Sequence, residues 1–339
     1  MRWVARTIKS IYNPLYHSSN YEGVVVKSVY IEELESGYNL ENESFMLQDM
    51  TQRKTKDGRP YILGSLRDKT GQVACVYWDV PDYVEDWISS GLVVLVTGKV
   101  VTYKDALQIT ITDLNQSHNP DLNAFLPSSK RPREEMVAEL RQFIAALAEP
   151  WQTLAAQILL EEPFLSQFAN APAARNMHHA YIGGLLEHSL SMAHLADYLA
   201  ELYPHVDRNL LISGALLHDL GKVYEYNVSD SFSYSEDGRL TGHIIRAIII
   251  VEKTADAISF PEDKRRQLIH LIASHHGTHE WGAPVLPKTL EAILLHQIDL
   301  LDSRVQGFFD HLDNEKTAAQ WTTKKSFMFG TELRKPEGY

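Results

Sequence analysis

Histidine and aspartate residues that could hold metal ions recur through the C-terminal half of the chain. The segment GALLHDLGKVYEY, residues 214–226, runs from apolar residues directly into the adjacent pair His218 and Asp219. Burying such an ionisable pair is costly unless partners satisfy it. Residues of the same types stand in GLLEHSL, LTGHII, SHHG and HQIDLLD, namely His188, His243, His275, His276 and Asp299. Coordination of metal ions by these side chains would satisfy the pair.

The donor types indicate which ions to expect. Neutral imidazole suits several transition metals, and carboxylate extends the preference to harder ions such as Mn²⁺. We expect Mn²⁺, with Mg²⁺, Fe²⁺ or Co²⁺ as alternatives. Two divalent ions clamp the attacking and leaving oxygens of a displacement at phosphorus, and a water between them loses its proton near neutral pH. Any one of the 15 histidines alone is more often a core or capping residue, but the ordered combination favours a metal site.

Helices must position these residues. Beyond residue 132, apolar residues recur at three- and four-residue intervals, which predicts an all-α domain over residues 132–320. Each candidate ligand lies on, or at the end of, one of the predicted helices. If the apolar faces of these helices converge, the imidazoles and carboxylates meet in the core of the bundle, as in helical metalloproteins.

The N-terminal half has a different pattern. Between residues 45 and 118, the segments YILGSLRD, VACVYWDV, LVVLVTGKVVTY and LQITITDL are rich in β-branched and aromatic residues, and turn sequences separate them. DYVEDWISSG has helical spacing before the third segment. The strand pattern already begins at Phe45, ahead of these four segments. The resulting order strand–strand–strand–helix–strand–strand predicts an OB-fold β-barrel, a class that commonly binds oligonucleotides. Residues 119–131 predict a linker, whereas residues 1–44 are an extension of uncertain structure and residues 321–339 a tail.

The ordered pattern H…HD…H…HH…D resembles the HD-domain metal-dependent phosphohydrolases, and LLHDLGK is its most specific part. With HHAYIGGLLEHSL, residues 178–190, and the preceding barrel, the chain is similar to the YhaM family of 3′–5′ exoribonucleases from about residue 45 to about residue 309. The resemblance implies two groups of ligands. The first group is His188, His218, Asp219 and Asp299; the second is His243, His275 and His276, with Asp219 bridging both ions.

Two residues are expected to act in catalysis. Asp219 would help to hold the attacking hydroxide in line. Lys222 falls four residues after His218 and would place a positive charge near the phosphate, although a lysine at a helix C-terminus is also favoured by the helix dipole. Weaker candidates each have a capping, packing or salt-bridge alternative: Arg175, His178, His179, Glu187, His296, Asp302 and Arg304.

The predicted barrel carries residues that could bind a single strand. In OB-folds of this kind, aromatic rings stack on bases and a basic groove follows the backbone. The barrel offers Tyr61, Tyr77, Trp78 and Tyr103, and the alternation of Tyr77 with Trp78 predicts that one of them faces the core. Neighbouring acidic residues dilute the basic character. We predict backbone contacts from Lys54, Arg59 and Lys104.

These features predict a metal-dependent 3′–5′ exonuclease that hydrolyses single-stranded RNA, with single-stranded DNA as a further candidate substrate. One alternative is a phosphohydrolase for a small nucleotide, although no GYP sequence follows the HH doublet and a barrel would be superfluous for so small a substrate. A second alternative is a non-catalytic nucleic-acid-binding protein with structural metals. Chelation that destroyed folding rather than activity alone would favour this last alternative.

Composition limits the class of protein. Of the 339 residues, 44% are hydrophobic and 22% are charged, which is typical of a soluble globular protein, and no apolar run approaches the ~20 residues of a membrane span. We expect a cytoplasmic enzyme without a membrane partner, and a homo-oligomer is one expected assembly. The single Cys75 excludes a thiolate metal cage and predicts a buried strand thiol. The net charge of −12 argues against nucleic-acid binding by bulk charge, but not against a local basic groove.

Overall fold

The chain forms two compact units, one ending at Pro127 and the other beginning at Ser128. The computed structural model describes residues 27–104, 106–117, 120–175, 179–228, 232–315 and 319–338. The division falls inside the stretch predicted as a linker. We call the two parts the barrel unit and the helical unit.

The barrel unit is a closed five-stranded barrel with the strand order β1-β2-β3-β5-β4. Its strands are β1 (Asn39–Lys54), β2 (Pro60–Asp68), β3 (Gly71–Trp78), β4 (Val93–Tyr103) and β5 (Ala106–Gln116), and the one-turn helix α1 (Asp82–Glu85) lies between β3 and β4. Strand β3 pairs with β5 in parallel, and the other neighbours are antiparallel. The predicted OB-fold is therefore confirmed.

Structure begins before residue 45, where the barrel was predicted to start. Leu40 on β1 is buried in the barrel core. Further upstream, the buried Lys27 ammonium lies 3.3 Å from the carboxylate of Asp68, which also accepts a hydrogen bond from the backbone N–H of Ile31. Part of the predicted N-terminal extension therefore packs against the barrel, while residues 1–26 lie outside the described residues.

Alternation along the strands determines which side chains fill the barrel. Tyr77 is 4% exposed in the core, whereas the adjacent Trp78 is 49% exposed. This confirms that one of the two faces inward, because successive side chains on a strand point to opposite faces. Cys75 points inward like Tyr77, and burial raises the pKa of its thiol to about 12.

The helical unit matches the predicted all-α class. Its helices are α2 (Arg133–Ala145), α3 (Trp151–Leu159), α4 (Phe164–Asn170), α5 (Gly184–Leu202), α6 (Arg208–Leu217), α7 (Lys222–Glu225), α8 (Glu236–Leu240), α9 (His243–Ala257), α10 (Glu262–Ser274) and α11 (Leu290–Asn314). A hairpin of β6 (Tyr226–Val228) and β7 (Phe232–Tyr234) adds β-structure between α7 and α8. Apolar periodicity did not predict this hairpin, because its three-residue strands are too short to show a pattern.

Helix α6 is the central helix of this unit, since every residue from Leu210 to Leu217 is buried. Close backbone contacts then bring the neighbouring elements to its C-terminal end. A Cβ atom at Gly221 would lie 2.0 Å from the carbonyl oxygen of His243, and one at Gly184 would lie 2.1 Å from that of His179. Only glycine permits these two approaches. The first places the start of α9 beside the segment that follows α6, and the second places the start of α5 beside His179. Across the described part of the chain, no helix has both the length and the apolar character to cross a membrane.

Candidate metal centre and nucleic-acid interface

The ends of several helices bring the predicted ligands together. His218 and Asp219 directly follow α6, and His243 is the first residue of α9. His275 and His276 directly follow α10. His188 lies on α5 and Asp299 on α11, so all seven predicted ligands come from five elements that meet in the core of the helical unit.

One group of donor atoms surrounds His188. Its Nε2 lies 3.3 Å from Nε2 of His218, 3.4 Å from Oδ1 of Asp299 and 3.8 Å from Oδ2 of Asp219. Nε2 of His218 lies 3.2 Å from the same Oδ2. This grouping is the one that the family resemblance implied for the first metal.

A second group faces the other oxygen of Asp219. Oδ1 lies 3.5 Å from Nε2 of His243 and 3.6 Å from Nε2 of His275. Donor atoms of His243, His275 and His276 lie within 4.8 Å of one another. The two carboxylate oxygens of Asp219 therefore face different histidines.

The other ring nitrogen of each of five histidines already has a hydrogen-bond acceptor. The Nδ1 distances are 3.0 Å from His218 to the Ala215 carbonyl, 2.7 Å from His275 to the Ile272 carbonyl and 2.7 Å from His276 to the Trp281 carbonyl. Nδ1 of His243 lies 3.1 Å from Glu225 Oε1, and Nδ1 of His188 lies 2.7 Å from Asp302 Oδ2. A carbonyl or carboxylate can only accept, so Nδ1 carries a proton in each of these rings and Nε2 is the atom that would bind a metal. This arrangement is typical of metal-ligating histidines.

Several of the converging atoms are buried without a hydrogen bond. Oδ1 of Asp219, Nε2 of His243 and Nε2 of His275 are inaccessible to solvent and have no hydrogen-bond partner among the described residues. Such atoms carry a desolvation cost. Lone pairs and carboxylate oxygens directed at one point would be satisfied together by cations, so the residues present fit a divalent metal.

Electrostatics in the site favour a negative carboxylate at Asp219 and a neutral imidazole at His275. Burial would raise the pKa of Asp219, but the charges of Lys222 and His218 lower it well below its usual range. Burial and the neighbouring His218 lower the pKa of His275. Burial alone would also lower the pKa of His188, but hydrogen bonds to Asp299 and Asp302 raise it to about 9. A cation at His188 would therefore replace a proton.

Lys222 contacts the bridging carboxylate. Its Nζ lies 2.6 Å from Oδ2 of Asp219, and its side chain is only 12% exposed. Burial lowers the pKa of Lys222, but the charge of Asp219 outweighs burial and raises it. An ammonium group has three N–H donors, so the contact with Asp219 leaves N–H groups that could donate hydrogen bonds to a phosphate oxygen.

Carboxylates outside the ligand set orient two of the histidines. Glu225, which the sequence did not single out, lies at the end of α7 and holds His243. Asp302 accepts from His188 and also lies 2.9 Å from Nε2 of His179. Ser191 donates to the second oxygen of Asp302. The only sequence signal for Asp302 was its three-residue spacing from Asp299, and nothing in the sequence pointed to Glu225.

The weaker candidates take different places. Nδ1 of His179 lies 2.8 Å from the Tyr181 hydroxyl, which donates to Glu187 at 2.9 Å, so Glu187 belongs to a hydrogen-bond chain that leads to Asp302. His296 donates from Nδ1 to the carbonyl of His275. Arg175 and Arg304 are exposed, and His178 lies outside the described residues.

An aromatic pair lies on the outer surface of the barrel. Tyr61 on β2 is directly opposite Trp78 on β3, and their ring centroids are 4.8 Å apart. Arg53 on β1 is the next residue in the same row. Residues directly opposite one another share a face of the sheet, so this row combines two rings with an exposed cation. The sequence did not single out Arg53.

The predicted basic contacts of the barrel differ in their surroundings. Arg59 pairs with Asp57 at 2.9 Å and with Asp79 at 3.1 Å, so its charge is locally balanced. Lys54 is exposed at the end of β1. Lys104 is exposed in the turn after β4, with Nζ 5.3 Å from the centroid of the Tyr103 ring.

Comparisons with known proteins match both units. The family model described as HD domain matches residues 185–304, and the one described as OB-fold nucleic acid binding domain matches residues 48–116. A helicase family model matches residues 124–204. Among solved structures, the second OB-fold domain of replication protein A from Methanococcus maripaludis is 20% identical, with 26% of this chain and 92% of that chain covered and a TM-score of 0.21.

Two curated relatives match most of the chain. The 3′-5′ exoribonuclease YhaM of Geobacillus sp. (strain WCH70) is 34% identical over 263 residues, which cover 77% of this chain and 81% of the relative. The protein of the same name from Bacillus velezensis is 32% identical over 267 residues, covering 78% of this chain and 85% of the relative. Each match covers more than three quarters of this chain and more than four fifths of the relative.

Proposed function

This chain belongs to the YhaM family of 3′-5′ exoribonucleases, and we propose that it shortens single-stranded RNA from the 3′ end with two divalent ions. It is a metal-dependent hydrolase of the HD-domain class. The observation that carries the proposal is the convergence of the six other predicted ligands around Asp219, whose two oxygens face different histidines.

The proposed ligand sets follow this grouping. His188, His218 and Asp299 would hold one ion, and Asp219 would bridge it to the second. His243, His275 and His276 would complete the second set. Imidazole with carboxylate favours Mn²⁺, with Fe²⁺, Co²⁺ and Mg²⁺ as alternatives.

The bound ions would polarise the scissile phosphodiester and lower the pKa of the attacking water. The residues of the chain then have separate tasks. Lys222 keeps the Asp219 carboxylate oriented and offers its further donors to a phosphate oxygen. Glu225 and Asp302 keep the lone pairs of His243 and His188 directed at the centre. The burial of His188, His218 and Asp219 strengthens each of these interactions.

We assign the holding of the single strand to the barrel unit. The Tyr61–Trp78 pair offers rings for base stacking, and Arg53 and Lys54 offer charges for the backbone. Stacking accepts any base, which suits an enzyme that must move along a strand of arbitrary sequence. The same contacts would accept single-stranded DNA, so DNA is a further proposed substrate.

A time course on RNA labelled at its 5′ end tests the activity. Protein treated with a chelator should leave the RNA intact, and added Mn²⁺ should produce a ladder that shortens from the 3′ end. Internal cleavage, or decay without added metal, would contradict the proposal. RNA that stayed intact with Mn²⁺ but shifted in a native gel would favour a non-catalytic binder.

Variants of the metal site test the division of labour between the two units. His218→Ala should abolish turnover and leave RNA binding in a native gel largely unchanged, because the ligand set and the aromatic pair belong to different units. His205→Ala is a matched control, since His205 is an exposed histidine of the same unit. Loss of binding in parallel with loss of turnover would contradict this assignment.

A further inference from the structure

A short loop follows the histidine doublet and ends in a half-exposed tryptophan. The chain leaves α10 through Gly277, which has a φ of 78°, and forms a 3₁₀ turn over His279–Trp281. The side chain of Thr278 caps this turn by accepting from the backbone N–H of Trp281. Gly282, with a φ of 93°, ends the turn. The loop therefore has a defined conformation on the basis of its own hydrogen bonds.

This loop is attached to the metal centre through its backbone. The carbonyl of Trp281 accepts the Nδ1 hydrogen bond of His276 at 2.7 Å. A Cβ atom at Gly282 would also lie 3.6 Å from the same Nδ1. The position of Trp281 is thus tied to a residue that we assign to the second ion.

The indole ring of Trp281 lies against the imidazole of His296. The centroid of the Trp281 ring is 6.0 Å from that of the His296 imidazole, and His296 in turn donates to the carbonyl of His275 at 2.9 Å. A Cβ atom at Gly277 would lie 2.2 Å from the His296 ring, so the imidazole packs directly on the loop backbone. Asp299 lies three residues after His296 on α11, on the same helical face. The indole is therefore supported on one side by His296, whose helix also carries Asp299.

The indole ring is also half exposed to solvent. Trp281 is 51% exposed, whereas Trp151 in the core of the same unit is 2% exposed. An aromatic ring that is fixed by its surroundings, exposed and next to a metal site can stack on a base without first losing conformational freedom. On the basis of the proposed exonuclease function, we propose that Trp281, supported by His296, is the stacking site for the base of the 3′-terminal nucleotide.

The chemistry of the reaction gives this site its use. An enzyme that removes one nucleotide at a time must place the last phosphodiester at the ions and hold the nucleotide that will leave. Stacking on the terminal base supplies this placement and is tolerant of sequence, because every base has a π-face. The subsite would accept all four bases, and the larger purines would stack most strongly.

Two RNAs of the same sequence test the proposal, one with an ordinary 3′-terminal nucleotide and one with an abasic ribonucleotide in that place. For the unaltered enzyme, kcat/KM for release of the terminal residue should be higher with the base present. Trp281→Ala should reduce kcat/KM on the base-bearing RNA by about 5- to 150-fold and leave the abasic RNA almost unaffected. Trp281→Phe should retain most of the preference, because a phenyl ring still stacks.

Trp321→Ala is the matched control, since Trp321 belongs to the same unit and is 55% exposed. It should leave the ratio of the two kcat/KM values unchanged. Equal losses on both RNAs with Trp281→Ala would show that the loop only positions His276, and no loss on either RNA would show that the ring does not meet the substrate. Each of these two results overturns the inference alone. Failure of the unaltered protein to shorten either RNA with Mn²⁺ would overturn the proposed function and this inference with it.

Discussion

Replacing Glu225 by alanine should weaken the binding of one proposed ion and spare the other. The Glu225 carboxylate lies 3.0 Å from Nδ1 of His243, at the end of the imidazole opposite to the one that faces Asp219. The side chain of Glu225 is 9% exposed, so water cannot readily replace it. Without the carboxylate, the His243 ring loses its orientation and part of its basicity.

The magnitude follows from the type of hydrogen bond. A hydrogen bond to a charged group contributes about 1.5–3 kcal/mol, and each 1.4 kcal/mol is a factor of ten in affinity. Loss of the contact should therefore reduce the affinity for the ion at His243 by about 10- to 150-fold. Glu225→Gln retains an oxygen acceptor but loses the charge, so its loss should be smaller, since charge-assisted bonds are about twice as strong as neutral ones.

Titration of metal-free protein with Mn²⁺ measures the affinity for each of the two proposed ions. The electron paramagnetic resonance signal of aqueous Mn²⁺ reports the unbound ion, so the number of sites and their affinities follow from one curve. Unaltered protein should bind two ions per chain, and Glu225→Ala should move only one step of the curve. Glu236→Ala is the control, because Glu236 is an exposed glutamate of the neighbouring helix α8.

Asp302→Asn supplies the reciprocal comparison, because Asp302 holds His188 of the other ligand set. This variant should weaken the ion that Glu225→Ala spares. The assignment of each carboxylate to its own ion would be refuted if either variant lowered the affinity for both ions equally while the thermal unfolding of the metal-free protein stayed unchanged. A curve with a single site in the unaltered protein would refute the two-ion arrangement itself.

The remaining predictions concern stability, reactivity and binding. Gly221→Ala should lower the free energy of unfolding by at least about 1–3 kcal/mol in urea, because the added Cβ would lie 2.0 Å from the backbone oxygen of His243; an unchanged midpoint would refute the close contact. Cys75 should resist thiol reagents at pH 8 in the native protein and react only on unfolding, because its pKa is raised to about 12. Because only the unfolded chain ionises between pH 9 and pH 12, this shift should also lower the free energy of unfolding as the pH rises through that range, as urea denaturation would measure. Trp78→Ala should reduce the affinity of the metal-free protein for single-stranded RNA by about 5- to 150-fold in a filter-binding assay. Tyr83 is another exposed aromatic residue of the barrel unit, and Tyr83→Ala should have little effect.

Local patterns in the sequence predicted much of this architecture. The alternation around Tyr77 and Trp78 placed one ring in the barrel core, and the apolar spacing around His218 placed it at the end of a buried helix. Both predictions depend on neighbours within a few positions, which is the range over which strand and helix periodicity act. The order of the ligand residues along the chain was enough to predict which side chains should meet.

Local spacing in the sequence did not predict which charged residues on the barrel surface pair with one another. Arg59 was predicted to contact nucleic acid, and the structure places it between Asp57 and Asp79. Asp79 is twenty residues from Arg59 in the chain, and only the pairing of β2 with β3 brings them together. Arg53 became a candidate for the opposite reason, because the register of β1 against β2 sets it beside Tyr61.

Residue types and their local spacing are sufficient to predict the two fold classes, the order of the elements and the proposed ligands. They do not predict which oxygen of Asp219 faces which histidines, that Asp302 supports His188 across 114 positions of the chain, or that the backbone of Trp281 contacts His276. These features depend on hydrogen bonds and stacking contacts, which act over a few ångströms in space. Packing of helices around α6, and not distance along the chain, sets which groups come within that range.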